Sequence, residues 1–182
     1  MELKETIEKS KSIRKYKNKE VSKEIIEDLI NCASLAPSAK NRQPWKFIIL
    51  QNEIKEKIAS MMIEDELLHK VERKESSVIS TAKIIKEAPI LILVLKEYDE
   101  DWGTGDCLSI GAAIEHICLR ATDLGLGSLW IRDTVYVQKD IANLVGYKNM
   151  EVISAISIGY SDINPERRKR KNLNEVIYVI RT

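Results

Sequence analysis

Ala36-Pro37-Ser38-Ala39-Lys40-Asn41-Arg42-Gln43-Pro44-Trp45 is loop chemistry held between two regular elements. Two prolines bracket it, and the polar side chains between them can hydrogen-bond a ligand or their own backbone. A rigid backbone with free donors suits a binding loop. The same residues would serve as a structural connection, and taken alone they leave both readings open. Before the loop, Ser22 is placed to cap a helix with Glu24 in its first turn, and Ile25, Leu29, Cys32 and Ala36 recur at helical spacing. Pro37 disfavours the α conformation at Ala36, so that helix must stop there. After the loop, Trp45 leads into Phe47-Ile48-Ile49-Leu50, a short apolar run of strand character.

The rest of the chain follows the same mixed pattern. Leu3 to Ile7 suggests a short helix that ends near Ser10 to Ser12, where hydroxyl side chains compete with helical hydrogen bonds. Ile54, Ile58 and Met61 or Met62 mark another helix, and residues 64 to 80 are charged and weakly patterned, as a mobile cover over a substrate site would be. Ile90 to Leu95 is apolar on both faces and reads as a central strand. From about Thr104 to Leu124 runs the longest helix, with apolar residues spread around much of its circumference. Such a helix, in so small a chain, predicts that a second subunit covers part of it. Gly125-Leu126-Gly127 ends it, Ser128 to Ile131 is a strand that stops at Arg132-Asp133, Ile141 to Val145 a short helix and Val152 to Gly159 a strand. Ile177 to Ile180 is expected to close the sheet.

Composition excludes more than it identifies. The 182 residues are enough for one domain with a full core, and no linker interrupts residues 1–182. Lys plus Arg number 29 against 28 Asp plus Glu, a net charge of +1, so no long-range field draws the whole molecule to nucleic acid or membrane. The charged amino terminus lacks the apolar core of a signal peptide, and no run approaches the roughly 18 apolar residues of a membrane span, which reads as a cytoplasmic protein. Cys32, Cys107 and Cys118 lack the paired spacing of a zinc site or redox dithiol and read as free thiols. His69 and His116 stand in no zinc motif, so no metal is expected, and no nucleophile elbow occurs. Gly125-x-Gly127 and Gly103-x-Gly105 lack a third glycine and a preceding strand, so neither is a dinucleotide fingerprint. Few glycines and many Lys, Glu and Ile suit a helix-rich α and β domain.

Two further polar groups stand at the ends of regular elements, where sites are built. In Ser10-Lys11-Ser12-Ile13-Arg14-Lys15-Tyr16, cations interleaved with hydroxyls could hold a phosphate or the electron-rich edge of a ring, or could be a solvated basic turn. Glu166-Arg167-Arg168-Lys169-Arg170-Lys171 puts five cations in a row after a strand. It has no interleaved aromatics to stack on bases and sits in a neutral domain, so a single phosphate monoester is a sufficient target and nucleic acid is not expected.

In this order, the three groups resemble the nitroreductase family. Residues 36–45 are similar to its A-P-S-x-x-N-x-Q-P-W signature. Ser12-Ile13-Arg14-Lys15-Tyr16, Gly125-Leu126-Gly127-Ser128-Leu129-Trp130, Ile158-Gly159-Tyr160 and the basic loop before Leu173 extend the resemblance from about Ser10 to Val176. It implies an α+β fold, a three-layer α/β/α sandwich around a mixed, largely antiparallel sheet. It also implies a homodimer that binds FMN at the subunit interface, uses NADH or NADPH as electron donor and passes electrons to a small-molecule acceptor. By resemblance, Ser12, Arg168 and Arg170 would bind the FMN phosphate and Arg14 would face the N1/O2 edge of the ring, where a fixed cation favours the reduced state. Pro37, Ser38, Ala39 and Asn41 would reach the flavin from the other subunit, and the loop of Trp130, Ile131, Arg132 and Asp133 would pass beside the ring with backbone groups. No side-chain acid or nucleophile is then required, and ping-pong kinetics follow. The family commonly carries Arg where this chain has Ser10, so phosphate binding would lean on Lys11 and the carboxy-terminal cations. Nitroaromatics or quinones are the implied acceptors. Reductive dehalogenation, flavin degradation and non-catalytic flavin storage are the alternatives.

Overall fold

The computed structural model describes residues 1–69 and 77–180. Its centre is a four-stranded sheet in the order β1-β2-β4-β3. The strands are β1 (Lys46–Leu50), β2 (Ile90–Glu97), β3 (Gly127–Ile131) and β4 (Met150–Gly159). All three ladders are antiparallel, with Ile48 opposite Leu93, Leu93 opposite Ala155 and Leu129 opposite Ser157. The parallel element that makes the sheet mixed is a bridge of Ser12 to Ser128 along the outer edge of β3.

β2 shows why the sheet is a middle layer. Its side chains alternate between two separate cores: Leu91, Leu93 and Leu95 enter one, Ile90, Ile92 and Val94 the other. The first core is covered by α3 (Glu53–His69), α4 (Val78–Glu87) and α6 (Gln138–Leu144), through Ile58, Met62, Ile85 and Ile141. The second is covered by α2 (Lys23–Ser34) and α5 (Gly103–Asp123), through Leu29, Ile110, Ile114 and Ile117. A strand that is apolar on both faces therefore needs helices on both, and the three-layer α/β/α arrangement follows. α1 (Leu3–Lys9) lies at the end of α5, where the Met1 ammonium pairs with Asp123 at 2.5 Å.

Local sequence sets the element ends. The Ser22 hydroxyl accepts from the Ile25 amide and caps α2, and Gly125 closes α5 with φ +74. Two expectations fail. Residues 64–69 continue α3 and 78–80 open α4, so the stretch read as a weakly patterned cover is helical at both ends; 70–76 lie outside the described residues. Ile177 to Ile180 form no strand: the run is irregular and exposed, Ile180 by 90%. No described strand pairs with it, and its four side chains are 54 to 90% exposed.

Candidate functional site

Where α1 ends at Lys9 the chain turns extended, and the Ile13 amide donates to the Ser128 carbonyl at 2.8 Å. Ile13 is buried under this edge while Ser12 and Arg14, one position away on either side, remain exposed. The close approach depends on Gly127, because a Cβ there would lie 2.6 to 2.8 Å from three Ile13 carbons. Tyr16 anchors the segment further on, its hydroxyl within reach of the carbonyls of Ile13 (3.0 Å) and Ser157 (3.2 Å). Burial pushes that phenol well above its ordinary pKa, so it stays a neutral donor.

The carboxy-terminal basic run folds back over this segment. Arg167 donates to the Glu8 carbonyl at 2.8 Å, and Lys11 to the Asn164 side-chain oxygen at 2.6 Å. A cavity of about 340 Å³ results, with Ser10, Lys11, Ser12 and Arg14 on one wall and Glu166, Arg167, Arg168 and Arg170 on the other. A neighbouring cavity of about 300 Å³ adds Cys118, Ser128 and Trp130, and a third, of about 400 Å³, joins Arg14 and Arg168 to Trp130, Ile131, Arg132 and Asp133. Nine residues of the sequence reading, Ser10, Lys11, Ser12, Arg14, Trp130, Ile131, Arg132, Arg168 and Arg170, thus line one continuous surface. Arg170 lines both cavities that contain Ser10, where the resembled pattern has an arginine.

The donor set fits a phosphate. Among the described residues, Lys11, Arg14, Arg167, Arg168 and Arg170 form no ion pair with a carboxylate, and the acids on the shared surface are Glu166 in the first cavity, Glu115 in the second and Asp133 in the third. Such clustered, unneutralised cations favour an anion through charge-assisted hydrogen bonds, with the Ser12 hydroxyl as a further donor. Cys118 adds no reactivity, since burial pushes its thiol up to about 11 and keeps it protonated at neutral pH. Asp133 ends the loop that the resemblance places beside the ring. Its carboxylate accepts from the Ser77 and Thr81 hydroxyls, each at 2.8 Å, and so ties the start of α4 to the end of β3.

The 36–45 loop sits elsewhere. Its Ala39–Asn41 stretch is a 3₁₀ turn, and Lys40, Asn41 and Gln43 all have positive φ, of 51, 56 and 48°. For residues other than glycine this conformation costs roughly 1–2 kcal/mol each, somewhat less for Asn. Local hydrogen bonds offset part of it: the Ser38 hydroxyl accepts from the Gln43 amide at 3.0 Å, and the Gln43 side chain donates to the Asn41 side-chain oxygen at 3.3 Å. Arg42 pairs with Asp106 in the first turn of α5, whereas the basic cleft reaches that helix at Glu115 and Cys118. At about 1.5 Å rise per residue the two places lie about 14–18 Å apart along the helix. Within one chain, therefore, Pro37, Ser38, Ala39 and Asn41 are not brought to Ser12 and Arg14.

Among the described residues no group of three or more His, Cys, Asp or Glu is placed to hold a metal ion, and no helix is long and apolar enough to cross a membrane. The architecture is a three-layer α+β fold with a basic cleft at one sheet edge, and the match to known proteins is specific. The model of the nitroreductase family matches residues 7–160, and the chain belongs to that family. An Archaeoglobus fulgidus protein, "Putative NADH dehydrogenase/NAD(P)H nitroreductase", is 33% identical over 160 residues, 82% of this chain and 80% of that one. An iodotyrosine deiodinase of Hydra vulgaris is 28% identical over 197 residues, 92% of this chain and 68% of that one. Among solved structures, a BluB-like flavoprotein from Clostridium difficile 630 superposes with a TM-score of 0.83 at 27% identity, over all of both chains.

Proposed function

We propose that this protein is an FMN-dependent oxidoreductase that acts as a homodimer in the cytoplasm, as one domain per subunit. The observation that carries the reading is the cleft in which Ser12, Arg14, Arg168 and Arg170 converge with no paired carboxylate. Bound there, FMN would take a hydride from NADH or NADPH and pass electrons to a nitroaromatic, quinone or similar acceptor in a ping-pong cycle. Ser12, Lys11 and the cations of 167–170 hold the phosphate. Arg14, on the same edge and directed out from the buried Ile13, places positive charge beside the ring and favours the state in which the ring is anionic. Trp130, Ile131 and Arg132 flank it from β3, Trp130 lying against α5 at Gly111.

The spacing of about 14–18 Å along α5 between the Pro37 loop and the cleft supports the homodimer. A loop that rigid, with Ser38 and Asn41 at its tip, can serve a flavin only in a second copy. The face of α5 that a single chain leaves open carries the exposed Cys107 and Leu108 (72% exposed), with Gly111 and Ala112 half-buried beside them, which suits close helix contact. The exposed apolar run 177–180 is further surface for a second copy to cover.

Purified protein should be yellow, and NADH or NADPH should bleach it without an added acceptor. Colourless protein that cannot be reconstituted with FMN would remove the proposal. A second reading, reductive removal of halogen from a halogenated phenol, is supported by the deiodinase relative. Release of halide with turnover, set against nitroaromatic reduction in the same preparation, separates the two.

A further inference from the structure

We infer that Arg42 is a positioning residue that fixes the flavin-facing loop to the helix through which two subunits would meet. The inference rests on the flavin reading above. Three residues in four (Lys40, Asn41 and Gln43) hold left-handed backbone in this loop, and such a run persists only where its surroundings over-determine it. The hydrogen bonds inside the loop tie it to itself, not to the fold. Arg42 makes the outward ion pairs, beside the Lys40 ammonium 5.1 Å from the centre of the Trp102 ring. Its Nε lies 3.2 Å from Asp106 Oδ1 and its Nη2 3.4 Å from Asp106 Oδ2, a fork on one carboxylate, while Nη2 also reaches Asp99 Oδ2 at 2.7 Å. The guanidinium lies 4.9 Å from the centre of the Trp102 ring.

The anchor points are rigid. Asp106 is 2% exposed, in the first turn of α5, and Arg42 is its cationic partner. Asp99 spends its other oxygen on the amides of Asp101 and Trp102, which shapes the turn into the helix. A planar fork held by two carboxylates and stacked on an indole fixes both distance and orientation, which a lysine ammonium cannot do. α5 continues from this anchor to its open face at Cys107, Leu108, Gly111 and Ala112. The pair therefore transmits the placement of that face to Asn41 and Ser38. Where the second copy docks, Arg42 sets where those donors stand against its flavin.

The test compares Arg42→Lys, Asp106→Asn and the double variant with wild type and with Ile141→Val, a core change in α6 far from the loop. FMN affinity by fluorescence, the flavin absorption band, the rate of flavin reduction at saturating FMN and the melting temperature are measured on each. On flavin-free protein, tryptic cleavage after Lys40 is timed. Each single variant should bind FMN about tenfold or more weakly, the loss expected of one charge-assisted hydrogen bond, and should be cut after Lys40 several-fold faster. The double variant should add little to either, because both changes break one contact. Wild-type FMN affinity and cleavage in folded Arg42→Lys would overturn the inference, as would an equal loss of affinity in Ile141→Val at matched melting temperature. Should Asp106→Asn fail to fold, Arg42→Lys, which keeps the charge, decides alone. A wild type that never takes up FMN would sink the flavin reading instead, and the cleavage rates would still judge the clamp.

Discussion

Gly127→Ala tests the link between sheet edge and basic cleft. The added methyl would lie 2.6, 2.7 and 2.8 Å from three carbons of Ile13. Carbon atoms pack at about 3.5–4.0 Å, so something must shift by about 1 Å. Ile13 cannot swing away cheaply, being 5% exposed in the core and fixed by its amide to the Ser128 carbonyl at 2.8 Å. Overpacking of this kind costs about 1–3 kcal/mol, and in a chain of this size about 2–4 °C of melting temperature for each kcal/mol. The segment that must move carries Ser12 and Arg14 on either side of Ile13, so FMN affinity should fall beyond what the stability loss explains. Melting of flavin-free protein and FMN titration measure the two effects separately. Adding Ile13→Ala to Gly127→Ala removes two of the three clashing carbons and should restore part of the affinity, although alone it opens a cavity. Wild-type melting and FMN affinity in Gly127→Ala would refute the reasoning, and so would a double variant no better than the single.

Three further outcomes are expected. Arg14→Ala should weaken FMN binding or slow its reduction, each by about tenfold as for a charge-assisted contact, read by titration and stopped-flow bleaching; unchanged values would mean that another group supplies the charge. Leu108→Glu puts a charge on the open face of α5 and should yield monomer by sedimentation, with loss of FMN, while Cys107 on the same face should be shielded from alkylation in wild type and react once the dimer is broken. Asp99 is held below the ordinary carboxylate range, first by the Trp102 amide and then by Arg42. A depressed carboxylate contributes stability above the unfolded pKa of about 3.9 and loses it as pH falls through the folded value, so wild type and Asp99→Asn should differ most in melting temperature at neutral pH and converge in acid.

Sequence patterns located most of the fold because its elements carry local signals. Ser22 and Pro37 bracket α2, and the run Ile90 to Leu95, apolar on both sides, places β2 between helical layers. α4 escaped because its start lies in a charged stretch, has no side-chain cap of its own and is tied down by Asp133, 52 and 56 positions away from Thr81 and Ser77. The run 177–180 misled because β propensity reports that side chains want cover without saying whose, and this chain offers them none. The cleft residues were legible through cations beside hydroxyls at element ends. The Arg42 clamp was not, since no spacing rule links residues 64 apart and Asp106 reads as an ordinary acidic residue in a first helical turn.

The two halves of the proposed site stand at different places on one helix, and this decides how the site can fail. α5 meets the Pro37 loop through Asp106 and the basic cleft through Glu115 and Cys118, so the helix spaces the two by about 14–18 Å along its axis. An isolated chain can therefore hold a phosphate but leaves the ring open on the side the loop would cover. If two copies meet along α5, both missing contacts form together and FMN binding and dimerisation become linked. With two equivalent sites in a symmetric dimer, saturating FMN should then tighten the dimer by the square of the factor by which dimerisation tightens each site. Dimer dissociation measured with and without FMN, against FMN affinity above and below the dimer's dissociation constant, gives the two factors. A per-site factor greater than one, with its square in the dimerisation constant, supports the shared cleft, whereas FMN affinity independent of protein concentration would show that one chain completes the site alone.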